Sequence, residues 1–232
     1  AIHFERHQVG SALKPLIYGI LFSLGVRQDD WVVTAPKTYE LKSGSWSPGE
    51  VHRQLPQKVK VREALQRSLN RPLIRLVERV GFKKVEDQLK SYFPHLKTPL
   101  SEYPAQLLGA LDLSVKELVQ AYQKFIVKKC KNKKMGVLEI LSDPSQTTLK
   151  NRVSEKLSRF KFFGKTGTSN LGRDSWFVFF DGLMVGAIWT GLEKTPEKEV
   201  PLYGSNTSFE IFQKFILYRA QQFNEFFCHF AN

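Results

Sequence analysis

Between Phe160 and Thr190 the chain carries three short runs of aromatic and β-branched residues: Phe160 to Thr166, Ser175 to Phe180 and Leu183 to Thr190. Runs of this kind and length favour strands. Asp181-Gly182 separates the last two, and Asp-Gly is a strong hairpin signal because glycine reaches backbone angles that other residues avoid. The segment therefore predicts an antiparallel meander.

The flanking sequence supplies helices to cover such a sheet. Residues 11–24 are mostly apolar, and Pro15 belongs in a first helical turn, which puts the start near Ser11. Lys60 to Arg67 reads as a helix that breaks at Ser68-Leu69-Asn70; Pro72 opens the next helix and Gly81 closes it. Ser114-Val115-Lys116-Glu117 has capping-box spacing ahead of an amphipathic run through Phe125. The tail from Ser208 to Phe227 has aromatics at helical spacing, whereas residues 27–58, rich in polar residues, Pro and Gly, predict a long loop. The expected class is α/β (α+β), an antiparallel sheet covered by helices.

Composition narrows the function classes. With 42% hydrophobic and 25% charged residues in 232, wholesale disorder is excluded. No stretch approaches the ~18 apolar residues of a membrane helix. The net charge of +13 suits nucleic acid, an anionic membrane or an acidic polymer. The densest basic run, Lys128 to Lys134, has no interleaved aromatics on which bases could stack, so no nucleic-acid partner is expected. Two cysteines, Cys130 and Cys228, make no disulfide scaffold, and the five histidines are scattered, so neither a metal nor another cofactor is expected. Without an initiator Met or a secretory signal, the chain reads as a piece of a longer protein whose address lies upstream.

Three short motifs carry the chemistry. In Ser11-Ala12-Leu13-Lys14 a serine and a lysine three apart share one helix face. A serine hydroxyl needs a base, and a lysine amine serves if desolvation or a neighbouring cation lowers its pKa. At a helix N-terminus the serine amide can also stabilise an oxyanion. Ser68-Leu69-Asn70 lies at the helix break, where Ser68 could relay a proton and Asn70 bind a peptide backbone; taken singly it also reads as two caps. Lys165-Thr166-Gly167-Thr168-Ser169 ends a strand. There Gly167 lets a substrate backbone approach, Lys165 offers fixed positive charge and the Thr hydroxyls can bind a carboxylate.

The order Ser-x-x-Lys, Ser-x-Asn, Lys-Thr-Gly is the active-site set of penicillin-binding proteins and class A β-lactamases. The flanks Gly10 to Pro15, Arg62 to Asn70, Gly164 to Asn170 and Arg173 to Phe177, with Gly109-Ala110-Leu111, Glu117-Leu118 and Ala121-Tyr122, resemble the transpeptidase domain of class A penicillin-binding proteins from about residue 5 to 220. The resemblance implies a β-lactamase/transpeptidase-like fold in a single domain over 1–232. A helical subdomain would span about 25–158, and the sheet, with the nucleophile and C-terminal helices, would take 1–24 and 159–232. In the family a helix and two strands precede the nucleophile, so N-terminal strands are expected to be missing here. The strand near 184–190 would then have either a partial partner from Ala1 to Glu5 or a bare edge.

The resemblance also implies an activity. Ser11 would attack the carbonyl of a D-Ala-D-Ala stem peptide, and the acyl-enzyme would pass to an amine on a neighbouring stem of peptidoglycan. Lys14 would be the base, Ser68 the proton shuttle to the leaving amine, Asn70 the donor-backbone ligand, and Lys165 the source of local field. Thr166 and Thr168, beside Gly167, would bind the donor carboxylate, and the amides of Ser11 and Thr168 would form the oxyanion hole. β-Lactam antibiotics would be trapped on Ser11. An upstream glycosyltransferase domain and membrane anchor would hold the domain at the extracytoplasmic face of the membrane, the periplasm in a Gram-negative source. Two other readings stay open: a class A β-lactamase-like hydrolase, although no Glu-x-x-Leu-Asn element is present, and a non-catalytic peptidoglycan-binding module.

Overall fold

A computed structural model describes residues 5–52, 54–131, 136–169, 172–192 and 202–219. The expectations placed on Ala1 to Phe4, on the end of the lysine run, on Asn170 and on the tail from residue 220, with Cys228, lie outside the described residues. The chain divides into two compact units, one of residues 14–108 and one of residues 1–13 with 109–232.

In the unit of residues 14–108, α1 (Lys14–Ser23) is buried from Lys14 to Leu21. Pro15 has no N–H for an α-helical bond back to Ser11, which is why the α-helix begins at Lys14 and not near Ser11. The predicted loop of 27–58 is more ordered than its composition suggests. β2 (Trp31–Val33) pairs antiparallel with β5 (Lys58–Lys60), with Val32 opposite Val59. β3 (Tyr39–Leu41) and β4 (Gly44–Trp46) form a hairpin around Lys42-Ser43. α2 (Val61–Gln66) and α3 (Asn70–Val80) bracket the expected break, and Gly81, at φ 106°, turns the chain into α4 (Phe82–Leu89). Leu65, Leu69, Leu73, Ile74, Leu76 and Val77 are fully buried, so the apolar stripes of α2 and α3 anchor the break from both sides.

In the other unit, β1 (His7–Gln8) pairs antiparallel with β6 (Asp112–Leu113) and leads into a 3-10 turn, Gly10–Leu13. α5 (Val115–Lys131) starts on the predicted capping box: Ser114 N donates to Glu117 Oε2 at 2.9 Å and Glu117 N to Ser114 Oγ at 3.2 Å. Arg6 also pairs with Glu117, and together these bonds hold its carboxyl down to about 2 against the opposing effect of burial. Cys130 lies on the buried side of α5. α6 (Gly136–Ile140) follows.

The meander appears as β7 (Phe163–Thr168), β8 (Asp174–Phe180) and β9 (Val185–Gly191), antiparallel in that order. The β8–β9 link is closed by Asp181, whose Oδ1 accepts from Leu183 N and Met184 N, with Gly182 at φ 96°. Every residue of β8 is buried, so both faces of the sheet are covered. α7 (Ser208–Arg219) covers one face, packing Phe209 and Phe212 on Phe177 and Phe179 with ring centroids as close as 4.6 Å. The opposite face carries Trp176, whose Nε1 donates to Gln8 O at 3.0 Å. Among the described residues no strand pairs with the outer edge of β9; β1 pairs with β6, and the His7 ring stacks on Trp189 of β9 at 3.8 Å.

Candidate active site

The candidate residues divide between the two units. Lys14, Ser68 and Asn70 share the first, and Ser11 lies with Lys165 to Thr168 in the second.

In the first unit the helix break does the positioning. Ser68 takes φ 58°, a left-handed angle that side chains other than Gly rarely adopt. Its neighbours Leu65 and Leu69 are locked in the core, so the surrounding packing sustains the strain. This turn aims the Ser68 carbonyl at Lys14: Lys14 Nζ donates to Ser68 O at 2.5 Å and to Asn70 Oδ1 at 2.5 Å, with Ser68 Oγ at 3.4 Å. Lys14 is fully buried. Burial outweighs the attraction of Glu50 and brings its ammonium down to about 7. The neutral amine has two N–H groups, matching the two short acceptors, and a lone pair left for a hydroxyl proton.

Asn70 is the first residue of α3, and its amide is engaged at both ends, since Nδ2 donates to Gly49 O at 2.7 Å. Glu50 Oε2 accepts from Asn70 N at 2.9 Å and Arg71 N at 3.2 Å, satisfying two of the amides that a helix start leaves open. Sequence reasoning missed Glu50, because it lies in the predicted loop and 20 residues before Asn70. It also missed Tyr18, one turn beyond Lys14 on α1, whose buried hydroxyl has no hydrogen-bond partner among the described residues.

In the second unit, strand alternation sorts the Lys-Thr-Gly-Thr run. Lys165 and Gly167 stand opposite Val178 and Trp176 on one face; Thr166 and Thr168 stand opposite Phe177 and Ser175 on the other. Buried Lys165 donates from Nζ to Thr166 O at 2.8 Å. Thr166 Oγ1 lies 3.0 Å from Thr148 Oγ1, a hydroxyl that no sequence motif flags, and Thr168 Oγ1 accepts from Gly204 N at 3.2 Å.

The Gly10–Leu13 turn, with Ser11 second in it, lies backbone to backbone on β7. A Cβ on Gly167 would stand 2.4 Å from Val9 O and 2.9 Å from Ala12 N; one on Gly10, at φ 53°, would stand 2.2 Å from Thr168 O. Only glycines permit this approach, which brings the segments holding the Ser11 and Thr168 amides together. The turn is held from behind by Gly10 N donating to Gly109 O at 3.1 Å and Tyr122 OH donating to Ala12 O at 2.6 Å. The Gly109 and Tyr122 positions quoted for the resemblance thus buttress the Gly10–Leu13 turn.

No family model matches the chain. Among known proteins, penicillin-binding protein 1B of Buchnera aphidicola is 26% identical over 92% of this chain and 32% of its own length. Penicillin-binding protein 1A of Aquifex aeolicus is 28% identical over 88% of this chain and 32% of its own length. The chain therefore spans about a third of the length of these relatives. Among solved structures, penicillin-binding protein 1A of Haemophilus influenzae superposes with a TM-score of 0.76 at 16% identity, covering 92% of this chain and 42% of that one. Across nine tenths of its length the chain is homologous to the class A penicillin-binding proteins, and its fold is that of the transpeptidase domains of penicillin-binding proteins.

Proposed function

We propose that the chain is a peptidoglycan D,D-transpeptidase domain that cross-links stem peptides through a serine acyl-enzyme. The observation that carries this reading is Lys14: a buried amine held by two acceptors, with a pKa near neutrality, three residues after a serine. Ser11 Oγ adds to the carbonyl of a donor D-Ala-D-Ala end while its proton passes to Lys14. The negative charge on the carbonyl oxygen is met by the Ser11 and Thr168 amides, each worth ~10²–10³ in rate. The proton then moves by way of Ser68 to the leaving D-alanine amine, the C–N bond breaks and the Ser11 ester remains. An amine of a neighbouring stem peptide attacks that ester, releasing Ser11 and forming the cross-link. Thr166 and Thr168 hold the donor carboxylate, Asn70 holds its backbone, and Lys165 supplies positive charge. A β-lactam enters as a donor mimic and stays as the ester.

The relatives are about three times as long as this chain. We infer that the parent chain adds a glycosyltransferase domain and a membrane anchor and works at the extracytoplasmic face. No helix among the described residues is long and apolar enough to cross a membrane.

The test is labelling with a fluorescent penicillin, wild type beside Ser11→Ala, with mass spectrometry of the adduct. A stable label on the Ser11 peptide, absent from the variant, is expected. A label that turns over rapidly indicates a hydrolase, no label a binding module, and an adduct elsewhere overturns the assignment.

A further inference from the structure

Glu50 belongs to none of the three motifs, yet it is hydrogen-bonded into the half of the site that holds the base. Its Oε2 takes the main-chain N–H of Asn70 at 2.9 Å and of Arg71 at 3.2 Å. Asn70 in turn presents Oδ1 to Lys14 Nζ, and Gly49, beside Glu50, takes the other end of the Asn70 amide. One loop dipeptide thus fixes both the main chain and the side-chain rotamer of Asn70.

We propose, resting on the transpeptidase reading, that Glu50 is a positioning residue of the acylation site: it clamps Asn70 against Lys14 and brings a negative charge to the residue that holds Lys14. Glu50 acts from the loop, Tyr18 lies one turn on along α1 with its pKa raised further by the same carboxylate, and Arg71 follows Asn70 on α3 with its main chain on Glu50. Burial disfavours the protonated amine and Glu50 favours it. The balance keeps Lys14 basic enough to take a hydroxyl proton while about half of it is already deprotonated at pH 7.

The charge and the clamp separate by substitution. Glu50→Gln keeps an acceptor oxygen of the same reach and removes the charge; Glu50→Ala removes both. The measurement is the second-order rate of acylation by fluorescent penicillin from pH 5 to 9, alongside lysine-selective NMR titration of Lys14. For Glu50→Gln the acid limb and the Lys14 titration should both move down by about one pH unit, with the plateau rate kept. For Glu50→Ala the plateau should fall at least tenfold as well, since Asn70 is released. A Glu50→Gln profile and titration that both coincide with wild type overturn the proposal, whatever the alanine variant does. Failure of the transpeptidase reading looks different: wild type then takes no label dependent on Ser11, while the NMR titration still reports whether Glu50 acts on Lys14.

Discussion

The buried Lys14 makes a stability prediction that needs no substrate. Its pKa falls from the ordinary 10.5 to about 7 on folding, with burial the main cause. At 1.36 kcal/mol per unit that is worth about 5 kcal/mol against the folded state when the lysine is protonated. Below pH 7 both folded and unfolded chains carry the proton, and the whole penalty applies. Between 7 and 10.5 the unfolded chain keeps a proton that the folded chain has given up, so stability rises with pH by up to about 1.4 kcal/mol per unit. Lys14→Met removes the titration. It also strands Ser68 O and Asn70 Oδ1, at about 1–3 kcal/mol each, but that loss does not vary with pH. The assay is denaturant unfolding of both proteins at pH 6, 7, 8 and 9. The stability of wild type relative to Lys14→Met should climb by about 2–3 kcal/mol from pH 7 to 9 and hold steady below 6. A flat difference would mean that Lys14 titrates as an exposed lysine. A lysine held as an ammonium would give the same flat line, since both states then keep the proton up to pH 9, and either case refutes a base poised by burial.

On the roles proposed for the two motif lysines, Lys14→Arg should abolish penicillin acylation, because a guanidinium keeps its proton, while Lys165→Arg retains a measurable fraction; equal loss in labelling assays would count against Lys14 as the base. Gly10→Ala places a Cβ 2.2 Å from Thr168 O at φ 53°. It should cost at least ~1 kcal/mol in melting experiments and slow acylation by ~10²-fold or more as the turn leaves Thr168. Phe212→Ala, beneath the sheet, should cost about 3–5 kcal/mol in unfolding free energy while the folded fraction labels at the wild-type rate.

Much of the scaffold could be read from local pattern. Asp181-Gly182 announced its hairpin because the turn chemistry is contained in four residues, and Ser114 with Glu117 announced its helix start for the same reason. The break at Ser68 was legible from Pro72 and the interrupted apolar period, but the left-handed angle of Ser68 was not, since serine carries no preference for it. The strands inside 27–58 escaped notice because each has three residues and β2 finds its partner β5 far along the chain. Glu50 and Thr148 were invisible for a related reason: an acid in a polar loop and a threonine in a turn mean nothing until the fold sets them beside Asn70 N and Thr166 Oγ1. The Gly10–Leu13 turn ran against the expected α-helix because Gly10 and Pro15 bracket it, one free to bend and the other unable to donate.

The bonds that buttress this turn have a kinetic consequence. Tyr122 OH to Ala12 O joins residues 110 apart, and Trp176 Nε1 to Gln8 O joins residues 168 apart. Contacts so distant along the chain wait on the closure of very large loops, whereas the β8–β9 hairpin closes through the short Asp181–Met184 link. During synthesis, Ser11 leaves the ribosome long before β7 and β8 exist to receive it. The serine that this protein would use first in its chemistry is therefore among the last residues to find its place.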